Sequence, residues 1–290
     1  MSNRNIQNAL VKNLSTSKKG KQMKKIKDTC GYMRQYVFAA SVLLTLFLAV
    51  VPGTCFAGIE PDADKILRAM SSYLGELKTL SMKADIDFEI ITNEGQKLQI
   101  SSYATMVMER PDKFHITRKG MIADAEFFYD GEVLTLLGKN LNVYSQTAVS
   151  GTIEDAIVAY EFETGIPAPG ADLMFTDSYS VISEGSESGF YLGTTYVGGV
   201  ECHHLAIRKA DIDLQVWIKA GDEPLPMKYI ITTKWLTAAP QYEIRLRDWD
   251  TSPKISDQLF KFSVPEGAEK LETMVSDELD GIISTWGGEK

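Results

Sequence analysis

Residues 200–250 read VECHHLAIR (200–208), DIDLQVWIKAGDEPLPMKYIITTKW (211–235) and PQYEIRLRDWD (240–250). Each run carries aromatic or large aliphatic residues, and short turn-forming stretches separate them. Consecutive residues of a strand point to opposite faces, so runs of this kind make the two sides of a sheet different in character. The stretch predicts four consecutive strands of one antiparallel sheet, and the rest of the chain is expected to extend or cover it.

On the N-terminal side, Ile66, Leu67, Met70, Tyr73, Leu74 and Leu77 fall at helical spacing, with Asp62 and Asp64 early, where the helix dipole favours acids. An amphipathic helix is expected over 61–77. The period then becomes two. Ala84, Ile86, Phe88 and Ile90 alternate with Lys83, Asp85, Asp87 and Glu89, which predicts a half-buried strand with one wet face. Further strands are expected over 98–109, 113–118, 125–129, 132–137 and 141–145, and Asp130-Gly131 is a strong hairpin signal. Six strands with short connections make a meander. Residues 152–163 predict a second helix, stopped by GIPAPG at 165–170, and 171–175 a short helical turn. Residues 178–182 are expected to start the second sheet portion, 184–189 to form an exposed loop, and 190–197 to lead into the opening stretch.

The tail carries Leu271, Met274, Val275, Leu279, Ile282, Ile283 and Trp286 on one helical stripe. An amphipathic helix or tail is expected over 269–290. It is either docked on the protein's own sheet, a detachable lid or contact surface, or disordered.

The first 57 residues are different in kind. Nine basic residues and one acid precede an uncharged apolar run at 36–51, and PGTCFAG follows with small residues at Cys55 and Ala57. This order is that of a secretory signal peptide cleaved after Ala57, with Met23 offering a second start. The alternatives are an uncleaved anchor, for which 16 apolar residues fall short of the ~20 a membrane span needs, and lipidation of Cys55, for which Thr54 is a poor preceding residue. Cleavage leaves 21 basic against 38 acidic residues, a net charge of −17. Such a surface repels nucleic acid and anionic membrane. Of the three cysteines only Cys202 remains, so no internal disulfide is expected and the sheet must be held by packing. A periplasmic monomer is expected.

Cys202-His203-His204 is the eye-catching cluster, with donors suited to a metal or to nucleophilic catalysis. On a strand, however, only Cys202 and His204 share a side, and the other histidine is His115. The chain has no P-loop, dinucleotide fingerprint, nucleophile elbow or HExxH. Apolar bulk is instead spread over strands: Phe88, Met106, Met108, Phe114, Phe127, Trp217, Tyr229, Ile231 and Trp235. The first eight are the candidate lining of an apolar pocket on a concave sheet face too wide for the helices to fill.

The blocks GGVECHHLAIR, DLQVWI, GDEPLPMKYIITTKW, PQYEIRLRDWD and FSVPEGA resemble a family of predicted periplasmic proteins of unknown function. That family is related to the bacterial lipoprotein carriers LolA and LolB, whose order of elements is similar to that read above. The resemblance spans about residues 61–268. It implies a mainly β fold with α elements: a strongly curved, open antiparallel sheet, a half-barrel of about eleven strands capped by helices and able to take up acyl chains. It does not imply lipoprotein transport. An arginine on an early strand helps set the carrier's closed state, but no functional residue is carried over to Arg110 or Arg118.

The expected organisation is a signal peptide (1–57), a half-barrel domain (58–268) and the tail (269–290). The expected function is non-catalytic binding of a lipid or lipoprotein acyl group, without a cofactor. The alternatives are an envelope sensor or protein-interaction module on the same fold, and a metal-dependent or cysteine enzyme around Cys202 and His204.

Overall fold

The computed structural model describes residues 58–121 and 124–272. The leader and the tail from 273 onward, with the expectations attached to them, lie outside the described residues. The opening stretch forms four strands: β9 (Val200–Lys209), β10 (Ile212–Lys219), β11 (Pro226–Thr233) and β12 (Gln241–Asp250). The first meander supplies six more: β2 (Thr79–Ile91), β3 (Lys97–Glu109), β4 (Lys113–Gly120), β5 (Asp124–Tyr129), β6 (Val133–Gly138) and β7 (Val143–Ala148). All ten pair antiparallel with their neighbours in these meanders, and so does β8 (Ser186–Val197) with β9.

Two further strands of two residues each, β1 (Gly58–Ile59) on β8 and β13 (Glu269–Lys270) on β7, pair parallel at the edges. They bring the count among the described residues to 13 rather than about eleven. Short parallel additions of this kind leave no hydrophobic period to read in sequence. β13 also takes the first two residues of the expected tail helix. The sheet is one, not two portions side by side. Its order is β1-β8-β9-β10-β11-β12-β2-β3-β4-β5-β6-β7-β13, open and curved. The two meanders join where β12 pairs with β2, from Tyr242–Phe88 to Arg247–Lys83.

Among the described residues three α-helices cover the concave face: α1 (Pro61–Glu76), α2 (Ile153–Thr164) and α3 (Ser178–Ser183). Ala63, Leu67, Met70 and Leu74 of α1 are buried against β9 to β12 in one core cluster. Ile153, Ala156 and Ile157 of α2 are buried against β2 to β6 in another. α2 starts with a capping box, in which Thr152 Oγ1 accepts from the Asp155 backbone N–H and the Asp155 carboxylate accepts from that of Thr152. It ends on Gly165 in the left-handed conformation.

Residues 178–182 are α3 and not the start of a strand. Ser178 and Ile182 are both fully buried, an i,i+4 pair on one helical side. The Asp177 carboxylate accepts from the Ser180 backbone N–H, and the Tyr179 backbone N–H donates to Ser71 Oγ of α1 at 2.9 Å. Nor is 184–189 a loop. β8 begins at Ser186 and takes its ladder from β9, a tertiary pairing that overrides the weak strand propensity of Ser, Glu and Gly.

Candidate functional site: an apolar cavity under the helical cap

The register across the concave face explains where space is left. Leu80, Met108, Phe114, Tyr129 and Leu134 stand in one row across β2 to β6 and fill it with large side chains. The next row, Met82, Met106, Ile116, Phe127 and Leu136, is also bulky. The third runs Leu246, Ala84, Ala104, Arg118, Ala125. Three of its five members are alanines, so the floor drops there while α2 and the connecting segment stay at the height set by the bulky rows.

A cavity of about 230 Å³ lies over this recess. Its floor comes from β2 to β6 and β12. Leu74 of α1 closes one side, with Ala156, Ile157 and Tyr160 of α2 opposite. Residues 166–171 form a strap across the top. Gly170 has φ +85°, and a Cβ there would stand 2.3 Å from Ile244 Cδ1, so only glycine lets the strap lie this close to β12. The strap runs into a 3₁₀ turn, Ala171–Met174, anchored by Asp172, whose carboxylate accepts from the Tyr229 hydroxyl at 2.6 Å.

The lining is apolar except at a few points. Tyr160 projects from α2, and burial pushes its hydroxyl up to about 12. Burial also raises the Tyr242 hydroxyl, partly opposed by the charge of Arg118. Both phenols are therefore protonated donors at neutral pH. Trp249 donates its indole N–H to the Pro226 carbonyl at 3.2 Å, leaving its ring to the cavity. Among the described residues, Arg118 is the one charged side chain in the lining. Arg110 lies elsewhere, its guanidinium donating to Thr176 Oγ1 and the Phe175 carbonyl where the 3₁₀ turn ends.

Of the residues singled out in the sequence, Met106, Met108, Phe114 and Phe127 line the cavity. Phe88 shares their face but stands outside it, stacked on Tyr242 with ring centroids 6.3 Å apart. Tyr229 and Ile231 also face inward, opposite Val216 and Leu214, but are packed into the core cluster with α1 and the 3₁₀ turn. Trp217 points the other way. The inward set on β10 is Leu214, Val216 and Ile218, so Trp217 falls on the convex face, stacked on His204 at 4.0 Å with Lys228 over its ring. Trp235 is exposed beyond the end of β11. The small residues Ala84 and Ala104, and the strap, were missed. Alanine gives no signal in a search for aromatic bulk, and the strap reads as punctuation.

Cys202 and His204 share the convex side, away from the cavity. The Cys202 thiol is fully buried, directed at the Val200 carbonyl and pushed up by burial, opposite to the depressed value a nucleophile needs. His204 Nε2 lies 3.0 Å from Gln215 Oε1, and burial lowers its pKa. Among the described residues there is no group of three or more His, Cys, Asp and Glu side chains able to hold a metal.

Among solved structures, the fold is similar to an uncharacterized conserved protein from Thermus thermophilus (9% identity, 72% of this chain and 98% of that one, TM-score 0.43). It is also similar to LprF from Mycobacterium bovis (12%, 73% and 99%, 0.43) and to a LolA superfamily protein from Nitrosomonas europaea (8%, 69% and 97%, 0.36). Likenesses this distant bear on neither ligand nor activity. No curated protein matches the chain. A family model does, over residues 63–274, and it spans both meanders, α1 and the cap. The chain is therefore a periplasmic protein that belongs to the family described as Predicted periplasmic protein (DUF2092).

Proposed function

We propose that this protein binds a lipid or lipoprotein acyl chain in the cavity between the sheet and its helical cap, as a carrier or holder and not as a catalyst. One observation carries the reading: a cavity of about 230 Å³ lined almost wholly by apolar side chains. Apolar cavities stay dry and accept apolar guests, whereas polar ones fill with water. The volume lies below the ~300 Å³ lower end of pockets for drug-sized ligands, which fits one chain segment and not two. Burying a chain gains ~0.8 kcal/mol per methylene against an association cost of ~4–15 kcal/mol. A single chain is therefore held reversibly, as a carrier that must release its cargo requires.

Native mass spectrometry of the exported chain tests this. The expected result is co-purifying lipid at one acyl chain per protein. Ala104→Phe places a ring in the recess without touching the bulky rows, and should remove the adduct while the melting temperature holds or rises. Lipid-free wild type that also fails to take up added fatty acid would sink the reading, and so would undiminished adduct in Ala104→Phe. The alternative of a contact surface on the tail helix falls outside the described residues.

A further inference from the structure

Arg118 occupies an inward position on β4, two residues beyond Ile116 and four beyond Phe114. A leucine there would continue the apolar wall. Instead the chain puts a permanent charge among Ala104, Ala125, Phe88 and Tyr242. Its Nε donates to Ser102 Oγ at 3.2 Å. The guanidinium carbon lies 5.8 Å from the Phe88 ring centroid and 6.0 Å from that of Tyr242. No acid among the described residues pairs with it, although ion pairs are abundant on the sheet's other face, such as Arg247–Asp85 and Lys228–Glu243.

A half-buried guanidinium without a carboxylate is costly unless something compensates it. Two aromatic rings at the outer limit of the cation–π range compensate the charge in part. With Nε on Ser102 and the guanidinium also hydrogen-bonded to the Tyr242 hydroxyl, the remaining terminal N–H groups are left to donate to an oxygen of a carboxylate or phosphate beside that hydroxyl. Tyr160 and Tyr242 bring protonated hydroxyls to the same end of the cavity. The opposite end, at Leu80, Met108, Phe114 and Leu134, is wholly apolar. From Phe114 to Arg118 the strand advances about 13 Å. The cavity thus has a greasy end and a cationic end, one acyl segment apart.

We infer that the ligand of this site is an anionic single-chain amphiphile, its carboxylate or phosphate held by Arg118 and its chain laid along β4 toward Phe114. The inference rests on the acyl-binding reading above and adds the head group and the orientation. The neutral-headed or ester-linked chain of the same length becomes the poorer ligand, because it leaves the guanidinium uncompensated.

Titration calorimetry of delipidated protein with dodecanoate, dodecyl phosphate and dodecanol, at about pH 8 where the carboxylate is ionised, separates the outcomes. Wild type is expected to bind the anions roughly tenfold or more tightly than the alcohol, the worth of one charge-assisted hydrogen bond. Arg118→Gln should erase that preference and leave dodecanol binding as it was, and Arg118→Lys should restore part of it. A preference for dodecanoate over dodecyl phosphate assigns a carboxylate head, and the reverse assigns a phosphate. Equal affinity of wild type for anion and alcohol overturns the inference and leaves acyl binding standing. Binding of none of the three overturns both. If Arg118→Gln does not fold, the wild-type anion-to-alcohol ratio and Arg118→Lys still decide.

Discussion

Asp172 is the residue on which the cap and the sheet meet. Its carboxyl is held against the Tyr229 hydroxyl, and among the described residues Oδ1 is buried without a hydrogen-bond partner. Burial raises its pKa, partly opposed by the hydrogen bond from Tyr229 and the charge of Lys209. A raised carboxyl binds its proton more tightly in the folded than in the unfolded state. Its contribution is therefore fully present below the unfolded value of ~3.9 and is lost as pH rises through the folded value. The paired carboxylates Asp64, Asp85 and Asp248 are lowered and act in the opposite sense. Their share cancels when wild type is compared with Asp172→Asn. Urea midpoints across a pH series should show wild type losing ground to the variant as pH climbs from ~3.9 to the folded value, then a constant gap. A gap independent of pH would mean that Asp172 titrates normally. At this scale sequence was least informative. Nothing in the sequence sets Asp172 apart from the other acids of an acidic chain, and Trp217 was expected in the pocket lining because it is apolar bulk on a strand. Period two on β10 fixes which residues share a face, but only the buried partners Leu205 and Ile207 on β9 show that Leu214, Val216 and Ile218 own the inner one.

Among the elements, the strap at 166–171 does most to shape the cavity. Pro167 and Pro169 restrict it, Gly165 terminates α2, and Gly170 lets it approach Ile244. Gly170→Ala meets both a positive φ and the Ile244 methyl, and should cost about 1–3 kcal/mol in chemical denaturation. Gly165→Ala meets the positive φ alone, with open space around its Cβ, and should cost less. Equal losses at the two positions would show that the contact with β12 contributes nothing. The long elements were legible because their periods repeat. α1 carries its apolar stripe over 16 residues, and β2 and β3 alternate over 13 each. α3 and the first half of β8 were not, because a six-residue helix shows one i,i+4 pair and a Ser- and Gly-rich strand shows none. Their structure is decided by Ser71 and by the β9 ladder, partners more than a hundred and about twenty residues away.

At the scale of the whole molecule, the two halves of the open sheet are joined across the chain's length: β2, at residues 79–91, pairs with β12, at 241–250, and all three rows of the cavity floor depend on that seam or the ladder beside it. The half-barrel could be anticipated from the meanders and from family resemblance, but the empty space could not. It arises from Ala84 and Ala104 falling opposite each other in one register row, a coincidence of two strands that no single strand displays. Since the space is part of the folded state alone, whatever fills it must stabilise that state by mass action. A ligand at one hundred times its dissociation constant adds about 2.7 kcal/mol. For a folded domain of this size each kcal/mol moves the melting temperature by ~2–4 °C, so saturation with dodecanoate should raise it by about 5–10 °C. Ala104→Phe, its recess already filled, should start at or above the wild-type value and hardly respond. Thermal unfolding followed by circular dichroism on delipidated protein measures both. A wild type that does not shift, or an Ala104→Phe variant that shifts as much as wild type, would place the guest outside the recess and return the cavity to the status of a packing defect.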